Sequence, residues 1–125
     1  MVTNRSNIEF QSNDKCTPLF LASNGGYFDI VKLLVENKAH IDTPNSYGCT
    51  PLIVASFDGN LEMVKFLIEN KSDIDTTDIY GFTALTEASG NGHLDVVKYL
   101  IESNSNINCL TACGQTPLYK ASESG

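Results

Sequence analysis

Two spacings of apolar and polar residues alternate along the chain. From Leu61, the residues Leu61, Val64, Leu67 and Ile68 fall three and four apart with polar residues between them. That spacing predicts an amphipathic helix with one core-facing side, and Glu62, three before Lys65, gives it an acid in its first turn. A shorter helix is expected just ahead of it. Thr50 is suited to cap that helix, because its hydroxyl can accept from an orphan N–H, and Pro51 at the next position loses no needed donor. Leu52, Ala55 and Ser56 then share a face, and the small Ala55 permits close approach of another helix. Asp58-Gly59 reads as a turn pair able to adopt positive φ, and Asn91-Gly92 takes its place in the following unit. After the longer helix, Asp73-Ile74-Asp75 and a turn around Tyr80-Gly81 lead to the next Thr.

The same pattern returns at a fixed step. Thr17, Thr50, Thr83 and Thr116 each begin T-P-L or T-A-L, and each lies 33 residues from the next. Ala22, Ala55, Ala88 and Ala121 share that step, as do Ile8, Ile41, Ile74 and Ile107. A period in this range marks a stacked array, in which one unit cannot bury its own apolar face and its neighbours supply the core. The expected fold is an all-α repeat solenoid of helix-turn-helix units of 33 residues, joined by β-turn or hairpin-like loops. The phase divides the chain into 12–44, 45–77, 78–110 and a partial unit 111–125, with 1–11 as the tail of a preceding unit. Leu118 and Tyr119 do not make the polar outer face of a terminal cap. The sequence thus reads as a window of a longer array, or as one whose ends are covered by something else.

Helix, turn, helix and a Gly-containing turn, with T-P-L and a following Ala at this period, resemble the ankyrin-repeat family over essentially all of residues 12–125. The chain departs from the family pattern in places. Phe20, Ile53, Thr86 and Tyr119 stand where the family often has His after T-P-L. Lys38, Lys71 and Asn104 stand where family copies usually end the second helix with Gly, and Lys15 takes the place of Gly48, Gly81 and Gly114.

Composition narrows the function. The chain has 125 residues, 42% hydrophobic and 18% charged, an ordinary balance for one globular domain. Eight Lys+Arg against fifteen Asp+Glu give a net charge of −7, which opposes binding to a phosphate backbone, so nucleic acid is not expected as a partner. No stretch approaches the length of a membrane span, so membrane insertion is not expected either. Cys16, Cys49, Cys109 and Cys113 form no CxxC and are expected to be reduced thiols in an intracellular protein, cytoplasmic or nuclear. Cys16 and Cys49 occupy equivalent positions. Stacked helices lie about 8–10 Å apart, whereas a disulfide needs Cα atoms within about 7 Å, so both should stay free.

Catalysis has no support. His40 and His93 occupy different parts of the unit, and His93, at a position where the family often has His, is expected to make a structural hydrogen bond. The run from Asp73 imitates a calcium loop at Asp73, Asp75 and Thr77, but Asp78 replaces the required Gly and Ala84 the required Glu. No phosphate-cradling glycine motif is present, and neither a cofactor nor a metal is expected. The expectation is a non-enzyme.

In the family, variable positions in the turn before the first helix and at that helix's end line a concave surface that grips proteins. The resemblance carries this role to Ser46, Tyr47, Cys49, Phe57 and Asp58 in one unit. In the next it carries it to Ile79, Tyr80, Phe82, Gly90 and Asn91. Helical spacing adds Val54, one turn before Phe57, and its counterpart Glu87. Aromatics are the usual anchors of protein interfaces; alternatively, Tyr47 and Tyr80, each before a turn Gly, pack on the adjacent turn. The expected function is a scaffold binding a protein partner on this face, with end-to-end self-association through uncapped units as a further mode. The competing reading is an accessory segment of a larger enzyme or channel; a redox or metal role for the thiols ranks below both.

Overall fold

The computed structural model describes residue 9 and residues 11–105. The partial unit 111–125, Leu118, Tyr119, Cys109 and Cys113, and most of the tail expected over 1–11, lie outside the described residues.

Among the described residues there are six helices and no strand: α1 (Pro18–Gly25), α2 (Phe28–Glu36), α3 (Pro51–Phe57), α4 (Leu61–Glu69), α5 (Ala84–Gly90) and α6 (Leu94–Glu102). They form three helix pairs. Each first helix begins as the sequence predicts, with the hydroxyls of Thr17, Thr50 and Thr83 accepting from the N–H groups of Phe20, Ile53 and Thr86. At Thr83 the bond is reciprocated, since the Thr86 hydroxyl accepts from the Thr83 N–H, a capping box with Thr in its third position.

The first helices stack as a row, α1 on α3 and α3 on α5, while each packs on its own second helix and α4 packs on α6. This is an all-α repeat solenoid. One continuous core runs through it, built from Leu19, Leu52 and Leu85 of the first helices and Val31, Val64 and Val96 of the second. Each such side chain contributes about 1.5–3 kcal/mol of apolar transfer. Ala55 and Ala88 are fully buried in it.

Position in the stack decides what a given residue meets. Ile30 is half exposed, while its counterparts Met63 and Val96 are fully buried. Among the described residues, a helix pair precedes α4 and α6 but not α2. On the other side, the ring of Phe28 meets that of Phe66 edge-on at 5.3 Å, whereas its counterpart Leu94 is largely exposed.

Loops are joined across the stack by backbone and carboxylate bonds. The Ser46 N–H donates to the Asp14 carbonyl (2.8 Å) and the Ile79 N–H to the Tyr47 carbonyl (3.0 Å). Asp42 accepts from the Ser72 hydroxyl (2.6 Å) and from the Asp73 N–H (3.0 Å). One unit earlier, Glu9 accepts from the His40 N–H at 2.8 Å. Glu9 and Asp42 both follow the repeated Ile, so the acid after that Ile tethers the loop of the next unit.

Among the described residues, four that bear side chains hold left-handed backbone: Lys15 (φ 62°), Lys38 (φ 69°), Lys71 (φ 76°) and Asn104 (φ 70°). These are the positions where the family pattern places Gly, and the loss of Gly has left the conformation in place. The ends of α2, α4 and α6 keep the same bonding. In α4, the Lys71 N–H donates to the Ile68 carbonyl and the Ser72 N–H to the Leu67 carbonyl, both at 3.0 Å, which closes the helix in a Schellman motif.

Candidate functional site

The face to which the resemblance assigns binding is assembled from loop tips and first helices. Each tip is a tight reverse turn built on one side-chain acceptor. The Asn45 Oδ1 accepts from the N–H groups of Tyr47 (2.9 Å) and Cys49 (3.0 Å), while the Cys49 carbonyl accepts from the Asn45 N–H. Asp78 repeats the arrangement one unit later, its Oδ1 accepting from Tyr80 (2.8 Å) and Phe82 (2.9 Å). In the first unit the Ser12 Oγ accepts from the Cys16 N–H at 3.2 Å. Sequence reasoning missed these three residues. Their signal was there, since Ser12, Asn45 and Asp78 share the 33-residue step and all carry acceptors suited to turns.

Tethered in this way, the tips present Tyr47 and Tyr80 to solvent, 52% and 53% exposed, with Ser46 and Ile79 exposed beside them. The ring of Phe82 is half-buried and lies 6.3 Å from that of Tyr80. Phe57 and Asp58 are exposed at the opposite end of α3, roughly 10 Å from the loop tip along a helix of this length. Asn91 is exposed at the matching end of α5, its Nδ2 donating to the Glu87 carbonyl at 2.9 Å, and Gly90 is partly covered. The tyrosines and the helix-end residues thus form two edges, with a strip between them.

Val54, which helical spacing adds to the candidate contacts, is instead 9% exposed and packs with Cys16 and Phe20, with Cys49 against them. Its methyl groups turn inward because the small apolar cluster beneath the loops needs filling; Val54 supports the strip and does not line it. Cys49 and Glu87 are half-buried.

Burial, with negative charge from Asp78, Glu87, Cys16 and Asp58, pushes the Cys49 thiol up to about 12. The thiol is therefore protonated and a poor nucleophile at neutral pH. Its response reports something about the strip as well. Carboxylates from the loop before α5, from α5 itself and from the end of α3 all act on one point. Asp58 is itself shifted upward by partial desolvation, opposed by His93.

The expected structural bond of His93 is present: its Nε2 lies 2.8 Å from the Phe57 carbonyl. Its ring also crowds Gly59, where an added Cβ would fall 2.5 Å from Nδ1. The chain passes that point only as glycine, which also supplies the φ of +73°. Cys16 and Cys49 are free thiols, as their spacing predicts.

A second, shallower feature lies on the outer helices. A cleft of about 300 Å³ between α4 and α6 is lined by Leu61, Lys65, Asp95, Lys98, Tyr99 and Glu102. Lys65 Nζ sits 5.6 Å above the Tyr99 ring. Two lysines and two acids offset one another there.

Among the described residues, no group of three His, Cys, Asp or Glu side chains is placed to hold a metal ion, and no helix is long and apolar enough to cross a membrane. No curated protein matches the chain. A family model for ankyrin repeats, in three copies, matches residues 1–78 and again residues 58–125. With the helix pairs, the threonine caps and the stacked loops all at one period, the chain belongs to the ankyrin-repeat family.

Proposed function

We propose that the chain is a non-catalytic scaffold that binds a protein partner on the concave face formed by its loop tips and first helices. Ankyrin repeats generally mediate protein–protein interaction, and the family is typically non-catalytic. The observation that carries the reading to this face is the placement of Tyr47, Phe57 and Tyr80. All three are large apolar side chains about half exposed, and they stand where the units differ from one another, above a framework that repeats and is buried. Exposed aromatics on a preformed surface act as anchors at low ordering cost.

The test is capture of a partner by the wild-type chain, followed by titration of that partner against Phe57→Ala and Phe82→Ala. Each substitution is expected to weaken binding by about 1–3 kcal/mol; Phe57→Ala leaves the melting temperature nearly unchanged, while Phe82→Ala, whose ring is half-buried, lowers it modestly. A large loss of stability would mean that the rings belong to the core. Stable variants that bind at full strength would move the interface elsewhere, with the outer cleft between α4 and α6 as the next surface to probe.

A further inference from the structure

Charge divides across this fold. Between Lys38 and Lys65, and again between Lys71 and Lys98, the sequence contains no Lys or Arg. These stretches hold the loop tips and first helices of two successive units. Most described lysines sit elsewhere, with Lys32, Lys65 and Lys98 on the second helices and Lys38 and Lys71 at the ends of α2 and α4; Lys15 lies in the loop tip of the first unit, beside Asp14 and outside these two stretches. His93 acts on Asp58 as a basic group, and its ring is bound to the Phe57 carbonyl.

The acids of these stretches are not spread evenly. Asp58, Asp78 and Glu87 come from three elements, and all three bear on the thiol of Cys49 in the strip between the two edges. The exposed rings of Tyr47 and Tyr80 lie along one edge and that of Phe57 stands on the other. An apolar surface alone fits many partners, and an acidic surface alone fits any counter-ion. The two together select for a ligand carrying cations and apolar side chains in alternation.

We infer that the concave face takes an extended peptide segment of a partner protein in which Lys or Arg alternates with aromatic or aliphatic residues. This rests on the function proposed above and names the partner's chemistry. The cationic groups meet the field of Asp58, Asp78 and Glu87, and a guanidinium can also lie over the open tyrosine rings. The apolar residues cover Phe57 and the tyrosine edge. The outer cleft offers no such selection, because Lys65 and Lys98 there offset Asp95 and Glu102.

A phage-displayed library of random peptides of about a dozen residues, selected on the folded chain, gives the probe. The best peptide is then synthesised and titrated by fluorescence anisotropy. Selected sequences should carry net positive charge with aromatic or aliphatic neighbours. Affinity should fall about tenfold between about 50 and about 500 mM NaCl, as surface charge is screened. The double variant Asp58→Asn, Glu87→Gln should lose about three- to tenfold, mostly in association rate. Phe57→Ala should lose about tenfold or more, and thermal melts identify any variant whose loss is one of folding.

Neutral or acidic selected peptides, or binding indifferent to salt and to the double variant, overturn the inference. If Phe57→Ala still weakens binding in that case, the concave face stands and only the cationic chemistry falls. If binding also ignores Phe57→Ala and Tyr80→Ala, the proposed face falls with it. A library that yields no binder overturns the inference too, since an extended cationic segment is among the ligands it offers.

Discussion

Replacing Lys71 with Gly should make the protein more stable. Lys71 follows α4 with φ 76°, and its side chain is exposed. An L side chain in the left-handed region costs roughly 1–2 kcal/mol, which glycine avoids. Against this, glycine frees the unfolded chain by about 0.4–1 kcal/mol, and loss of a cation near a helix C-terminus removes some favourable interaction with the dipole. The Schellman bonds through the backbone N–H groups of residues 71 and 72 are untouched. The net gain is about 0.5 kcal/mol, or about 2 °C in Tm for a domain of this size. Lys71→Ala separates the terms, since it removes the same cation while keeping a Cβ at positive φ. Glycine should therefore exceed alanine by about 1 kcal/mol in urea denaturation followed by circular dichroism. A glycine variant no more stable than the alanine variant would refute the claim that the left-handed backbone at residue 71 stores strain.

Gly59→Ala should destabilise by about 2 kcal/mol or more, because the new Cβ meets the His93 ring at 2.5 Å and φ is +73°; an unchanged denaturation midpoint would contradict it. Ser56→Ala should stabilise by about 1 kcal/mol, since Ser56 is fully buried and its Oγ has no hydrogen-bond partner among the described residues; a lower midpoint would point to a bond that the alanine breaks. Cys49 should resist alkylation at pH 8 in the folded protein and react once unfolded, as read by mass spectrometry. Its thiol is held neutral up to about 12 when folded, against 9.0 as the ordinary value. The unfolded chain therefore loses that proton first, and stability should decline as pH rises from about 9 towards about 12.

Much of this protein was legible in its sequence because the repeat supplies its own comparison. The threonine caps, the paired helices and the strained ends at Lys38, Lys71 and Asn104 all follow from local chemistry recurring at one step. So does the exposure of Phe57, which falls outside the repeated apolar set. Other features depend on which neighbour arrives. Ile30 and Met63 are equivalent in register, yet Met63 is fully buried and Ile30 half exposed, because burial is supplied by the adjacent helix pair. Val54 shares its helix with Phe57, but whether its methyl groups face a partner or fill the cluster around Cys16 and Phe20 is decided by the loops folded over α3. The bond from His93 to the Phe57 carbonyl spans 36 residues. The acids around Cys49 likewise come from separate units, and only stacking brings Asp58, Asp78 and Glu87 to bear on one thiol. The sequence by itself determined the unit, its caps and its turns, since these depend on contacts within a few residues. Tertiary structure decided the face proposed for binding, because its two edges and its charge are each drawn from more than one unit.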